Sequence, residues 1–271
     1  MTERSARRHR EAPFRLSADE IHVWTVGLDI ADWRDNLVPG RLSDDELQRA
    51  ARSPFERERR RFAVCRATLR AILGRYLDTR PCELSLRYGP YGKPRLDSEH
   101  YGEPIRFNVS HSDELALIAV DRGRELGVDI ERVRPLDGID DIVARHFGPA
   151  ERLAFSRVAP AARLSTFYRY WTLKEAYLKA GGVGMSRALN EVDVTGAGDH
   201  PMYLPDVFGT GATRCWTGRT LAPAPGYIAA LVVEGWAGAS VTTMIGGPLT
   251  LTRLTLPGVP RTVGSATASD G

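Results

Sequence analysis

The sequence predicts an α+β fold built as two similar α/β halves. Two long helical stretches carry that prediction, because each is followed, tens of residues later, by a strand of similar make-up. Phe55 to Tyr76 precedes Leu115 to Val120, and Leu164 to Ala180 precedes Tyr227 to Val233. No strict period accompanies this symmetry, so it describes a pair of halves rather than a repeat array.

Taken in order, residues 1–19 are expected to form an N-terminal tail, charged and aperiodic to about Pro13. Ile21 to Val26 alternates as a strand does. Ser43-Asp44-Asp45-Glu46 has the spacing of a capping box and opens a short helix. Ser53-Pro54-Phe55-Glu56 repeats that spacing, with Pro54 at the first helical position, and opens a longer helix. In the longer helix Phe55, Phe62, Cys65, Leu69, Ile72 and Tyr76 form one apolar face, and arginines occupy the remainder. Turn residues crowd Tyr88 to Pro94. Leu115 to Val120 and Gly127 to Ile130 read as buried strands. Leu164 to Ala180 reads as an aromatic helix stopped by Gly181-Gly182. These elements divide the chain into a first half, 20–126, and a second half, 127–245. From residue 246 to 271 Gly, Pro, Ser and Thr dominate, which predicts a disordered tail.

The bulk composition excludes several classes of function. With 271 residues, 42% hydrophobic and 26% charged, the chain has the profile of a soluble globular protein. A net charge of +3 is too small to argue for nucleic acid as a partner. The arginines cluster at Arg4, Arg7, Arg8 and Arg10 and again from Arg57 to Arg70, which suits a small anion or an acidic protein. Cys65, Cys82 and Cys215 have neither zinc nor disulfide spacing. A secretion signal and any run of the roughly 18 apolar residues that span a bilayer are both lacking, so a cytoplasmic protein away from membranes is expected.

Three separated segments carry chemistry. Asp129 and Glu131, two apart on a strand, project from one face, with Val128 and Ile130 on the other. Paired carboxylates repel unless a cation or proton lies between them, and Mg²⁺ takes such hard oxygen ligands. A solvated polar face balanced by Arg132 and Arg134 is the other reading. Glu175 and Lys179 share a helix face at i, i+4. They form either an ordinary surface ion pair or, amid so many aromatic neighbours, a metal ligand and a phosphate ligand. Ser110, His111 and Ser112 suit phosphate oxygens or ordinary turn hydrogen bonds, and Lys93 has the same two readings. The elbow of a serine hydrolase, the Walker loop and the dinucleotide-binding glycine motif are all missing.

Together and in this order, the segments resemble the signature of the 4′-phosphopantetheinyl transferases, in particular the longer, monomeric Sfp-type subgroup. The matching residues are Gly92-Lys93-Pro94, Phe107 to Ser112, Gly127-Val128-Asp129-Ile130-Glu131 and Trp171-Thr172-Leu173-Lys174-Glu175-Ala176-Tyr177-Leu178-Lys179, supported by Arg61-Phe62 and Leu69-Arg70. The resemblance runs from about Trp24 to Gly235. It implies a pseudo-twofold fold with coenzyme A bound between the halves, and transfer of its phosphopantetheine arm to a serine of an apo acyl or peptidyl carrier protein. It also implies Mg²⁺, or Mn²⁺ in its place, held by Asp129, Glu131 and Glu175. Lys179, Lys93, Ser110 and His111 are implied as phosphate or adenylate contacts, and Arg61 and Arg52 as contacts of the 3′-phosphate end. Glu175, Lys179 and Asp129 are the implied catalytic residues. Polyketide or nonribosomal peptide synthesis is the implied setting. A Mg²⁺-dependent nucleotide pyrophosphatase and a non-catalytic coenzyme A or carrier-binding module are the alternatives.

Overall fold

The computed structural model describes residues 13–97, 101, 105–182, 189–197, 200–208, 215–235 and, for the backbone alone, 249–253. The arginines of residues 4–10 and the expected tail beyond residue 253 lie outside the described residues.

Strand β1 (Ile21–Gly27) is followed by a short helix α1 (Trp33–Asn36), then α2 (Asp44–Ala51) and the long α3 (Glu56–Leu77). Two short strands, β2 (Leu86–Tyr88) and β3 (Pro94–Leu96), form a hairpin. β4 (Ile105–Ser112) and β5 (Leu115–Arg122) complete the first half. The second half runs β6 (Leu126–Arg132), α4 (Ile139–His146), α5 (Pro149–Ser156), α6 (Pro160–Gly181), β7 (Met202–Leu204), β8 (Trp216–Leu221) and β9 (Tyr227–Glu234). β10 (Leu249–Arg253) then returns to pair with β1.

Two four-stranded sheets result, ordered β10-β1-β5-β4 and β6-β9-β8-β7. The unit β1-β5-β4, antiparallel throughout, has the same connectivity as β6-β9-β8. Each unit receives one 22-residue helix, α3 or α6, between its first and second strands in sequence. Alternation assigns the strand faces. Trp24, Val26, Phe107 and Ile118 pack with Leu69 and Ile72 of α3. Ile21, Val23, Leu117 and Ala119 pack against Val128, Ile130, Ala229 and Leu231 of the second sheet. The far face of that sheet, through Ala230 and Val232, packs on Leu173, Ala176 and Tyr177 of α6. The layers are therefore helix, sheet, sheet, helix, in keeping with the α+β expectation.

The helix ends follow local chemistry. Ser43 caps α2 with the expected box, and Ser43 N–H donates to Glu46 Oε2 at 3.2 Å. Gly182 ends α6 in the left-handed conformation, φ 68°. The second box is not formed. Ser53 Oγ instead accepts the Phe55 N–H and donates to Glu58, and α3 starts at Glu56. Phe55 consequently lies outside the apolar face and is 64% exposed.

Both expected tails are corrected in part. Phe14 packs at a tilt with its ring centroid 4.8 Å from Trp24 and 5.3 Å from Tyr76, and Leu16 is buried, so Phe14 and Leu16 belong to the first core. Leu249 to Arg253 forms β10 where a tail was expected, because Leu-Thr-Leu-Thr has strand periodicity.

Candidate active site

The site grows from the meeting of two sheet edges. β4 and β6 belong to different sheets yet lie side by side, joined by side chains. Asn108 Oδ1 accepts the Val128 N–H at 2.8 Å, Ser110 Oγ donates to Asp129 Oδ1 at 2.8 Å, and Ser112 Oγ donates to Glu131 Oε2 at 2.8 Å. Ser112 Oγ also accepts the Arg132 N–H at 3.1 Å. Partners advance together along both strands, so these edges run in the same direction. Three polar side chains of β4, spaced two apart, thus face one edge and supply the hydrogen bonds that a backbone ladder would otherwise make.

Gly127 sets the approach of α6 to this seam. A Cβ there would lie 2.0 Å from the Ala176 carbonyl oxygen and 2.4 Å from the Ala180 nitrogen. Backbone meets backbone, and the face of β6 bearing Gly127, Asp129 and Glu131 comes up against the helix bearing Glu175 and Lys179. Lys179 Nζ reaches Asp129 Oδ1 at 2.5 Å and Ser110 Oγ at 3.0 Å.

The carboxylates feel one another. Burial raises the pKa of Glu175, and Asp129 and Glu131 raise it further against the opposing pull of Lys179. Burial likewise raises Glu131, assisted by Asp129 and countered by the Ser112 hydroxyl. Asp129 Oδ2 is buried and has no hydrogen-bond partner. Among the described residues no group of three His, Cys, Asp or Glu side chains stands close enough to hold a metal ion as it is. The donor set nevertheless fits a hard divalent cation: all ligand atoms are oxygens, one is buried and unpaired, and the others are held above their ordinary pKa by mutual repulsion and burial.

The remaining sequence candidates fall in different places. His111 is on β4, on the face opposite Ser110 and Ser112. Its ring reaches solvent, yet the protein packed around it, Lys179 and Arg61 hold its pKa below the usual value. Arg61 is held from two sides, by both oxygens of Asp29 at 3.0 and 2.8 Å and by Asp113 Oδ1 at 2.7 Å. Arg52 follows α2 as its C-cap and is exposed. Lys93 does not stand open to a phosphate. Its ammonium donates to the carbonyls of Leu126 at 3.1 Å, Lys179 at 2.7 Å and Ala180 at 3.4 Å, beside Glu125 at 3.5 Å. Burial depresses its pKa to about 8. The carbonyls at the end of α6 attract a cation, and Lys93 supplies it.

One polar cluster escaped the sequence reading. Lys174, fully buried, pairs with the equally buried Glu151 at 2.7 Å and donates to the carbonyls of Leu189, at 2.8 Å, and Val192. Glu151 also accepts the N–H groups of Gly148 at 2.6 Å and Val194 at 2.9 Å. The pair fastens the start of α5 and residues 189–194 to α6. Lys174 lies within the Trp171 to Lys179 segment, but nothing in the sequence pairs it with Glu151.

Comparison with known proteins gives the family. The family model described as the 4′-phosphopantetheinyl transferase superfamily matches residues 125–232, and that described as 4′-phosphopantetheinyl transferase, N-terminal, matches residues 33–123. The chain is similar to the 4′-phosphopantetheinyl transferase HetI of Nostoc sp., with 36% identity over 221 residues, 82% of this chain and 90% of that protein. It is also similar to the 4′-phosphopantetheinyl transferase of Bacillus subtilis, with 28% identity over 176 residues, 64% of this chain and 76% of that protein. With the two matched segments meeting at the β4–β6 seam, the chain belongs to the 4′-phosphopantetheinyl transferase superfamily.

Proposed function

We propose that the chain moves the 4′-phosphopantetheine arm of coenzyme A to a serine of apo acyl or peptidyl carrier proteins, with the site at the seam between halves 20–126 and 127–245. The convergence of Ser110, Asp129 and Lys179 from β4, β6 and α6 is the observation that supports this reading most strongly.

The serine oxygen bonds to the β-phosphorus, and the bond from that phosphorus to the 3′,5′-ADP oxygen breaks. Lys179 lies where a cation neutralises charge developing on phosphate oxygens. Glu175, kept basic by burial and by its acidic neighbours, takes the hydroxyl proton. Asp129, Glu131 and Glu175 would hold Mg²⁺, or Mn²⁺ in its place. When bound, that ion supplies positive charge against the pyrophosphate oxygens. Ser110 fixes Asp129, and His111 and Arg61 line the approach on the first half. Lys93 serves that approach through the backbone of α6. The Sfp-type subgroup and carriers of secondary metabolism are part of the same reading.

Separation of nucleotide products with and without an apo carrier tests it. Release of 3′,5′-ADP only when carrier is present supports the transferase. Cleavage of coenzyme A at the same rate without carrier would make the chain a pyrophosphatase. Binding of coenzyme A without any cleavage would make it a non-catalytic module.

A further inference from the structure

We propose that Asp113 is a positioning residue for the transfer reaction, bridging the two halves of the molecule so that Arg61 is held at the end of the β4–β6 seam. The proposal rests on the reading of that seam as the coenzyme A site.

Asp113 is the first of two residues turning β4 into β5, whose last and first residues, Ser112 and Leu115, are paired. Its φ is 52°, a left-handed conformation that favours glycine and strains other side chains. Such residues persist where the surroundings require the side chain more than a relaxed backbone. Here the side chain is fully used. Asp113 Oδ1 accepts from Arg61 Nη1 at 2.7 Å, and Asp113 Oδ2 accepts from Arg132 Nη1 at 2.5 Å. Arg61 comes from α3 of the first half and Arg132 from the end of β6 in the second. One carboxylate therefore carries an ionic bridge from half to half, at the end of the strands where Ser112 holds Glu131.

The bridge also fixes the Arg61 guanidinium. Asp29 grips its Nε and Nη2 side, and Asp113 grips Nη1. Opposed carboxylates set the plane of the group and leave further N–H donors on both terminal nitrogens for an anion. Asp29 supplies the two-point fork, and Asp113, the less exposed of the two carboxylates, adds the third contact and the only link to the second half through Arg132 among the described contacts of Arg61. Without it, Arg61 keeps the Asp29 fork but loses its Nη1 contact and its tie to the second half. Arg132 retains Glu114 at 2.7 Å, so its own placement suffers less.

Asp113→Gly separates the two roles, because glycine relaxes the backbone while deleting the carboxylate. The measurement is steady-state transfer to an apo carrier, with KM for coenzyme A and KM for carrier determined separately, together with the thermal midpoint. Loss of one charge-assisted contact predicts a coenzyme A KM raised about tenfold. The carrier KM stays unchanged and the midpoint is not lowered. Asp113→Asn, which keeps an acceptor oxygen, gives a smaller rise. Wild-type KM values in Asp113→Gly overturn the proposal and leave the transferase intact. Equal rises in both KM values, or a lowered midpoint, reduce Asp113 to a structural role and also overturn it. A wild-type chain that neither binds coenzyme A nor transfers it removes the site reading, and the proposal with it.

Discussion

Lys179 Nζ lies 2.5 Å from Asp129 Oδ1, although the two residues are 50 apart in sequence and belong to different elements. Ser110, from the other half, reaches the same oxygen at 2.8 Å. Asp129 Oδ1 is thus the point where β4, β6 and α6 converge. Its partner oxygen is buried and has no hydrogen bond within the protein, a costly position for a carboxylate oxygen.

Gly127 controls that convergence. Adding one methyl group places carbon 2.0 Å from a carbonyl oxygen, and only movement of α6 away from β6 relieves it. Gly127→Ala is therefore expected to destabilise the fold by about 3 kcal/mol or more, at the upper end of overpacking. Urea unfolding followed by tryptophan fluorescence measures it. A loss below about 1 kcal/mol would mean that α6 does not sit against β6 backbone to backbone.

The buried Lys174–Glu151 pair gives a second expectation. Removing one partner leaves an uncompensated charge, so Lys174→Met should cost about 3–5 kcal/mol. Glu151→Leu should cost more, because it also strands the Gly148 and Val194 N–H groups. The double variant should fall well short of the sum of the two, since neither charge then remains. Chemical denaturation of the three variants tests this, and simple additivity would contradict it.

The positions of these residues show what the sequence made legible. Helices α2, α3 and α6 and strands β1, β5, β6 and β9 follow from periodicity and end signals, since neighbours along the chain determine both. Asp129, Glu131, Glu175 and Lys179 were visible because strand and helix spacing put each pair on one face. The seam was not, because Asn108, Ser110 and Ser112 act on β6 rather than on their own turn. Lys93 has two readings in the sequence, a loop lysine or a phosphate ligand, because a loop lysine gives no sign of the α6 carbonyls that it meets in space. Nor did Asp113 stand out, since a φ of 52° is fixed by the hairpin and by two arginines from distant elements.

Lys93 yields an expectation for pH. Its folded-state pKa of about 8 lies below the ordinary lysine value of 10.5, so the unfolded chain binds more protons between those values. Stability from this group is therefore lowest below pH 8 and rises as pH increases through that window. Relative to Lys93→Met, the wild type should gain about 1 kcal/mol per pH unit between pH 8 and 10. Paired denaturation curves across that range measure the difference. A pH-independent difference would show that Lys93 keeps an ordinary pKa.

Arg145 on α4 and Arg152 on α5 are exposed, and Leu153, next to Arg152 in sequence, is 55% exposed. Exposed arginines of this kind suit an acidic helical carrier. Charge reversal, Arg145→Glu or Arg152→Glu, should raise the carrier KM several-fold, to about tenfold at low salt, and leave the coenzyme A KM alone. Steady-state kinetics with each substrate varied in turn decides it. If neither KM moves, the carrier docks elsewhere.

The central claim is that Asp129, Glu175 and Lys179 form one phosphopantetheine-transfer site at the β4–β6–α6 junction. Intact-mass measurement of an apo carrier incubated with the chain, coenzyme A and Mg²⁺ tests it most directly. The predicted result is one phosphopantetheine added to the carrier by the wild type, and none in the same time by Asp129→Ala, Glu175→Ala or Lys179→Met. An unmodified carrier with the wild type, or modification at the wild-type rate by these variants, would contradict it.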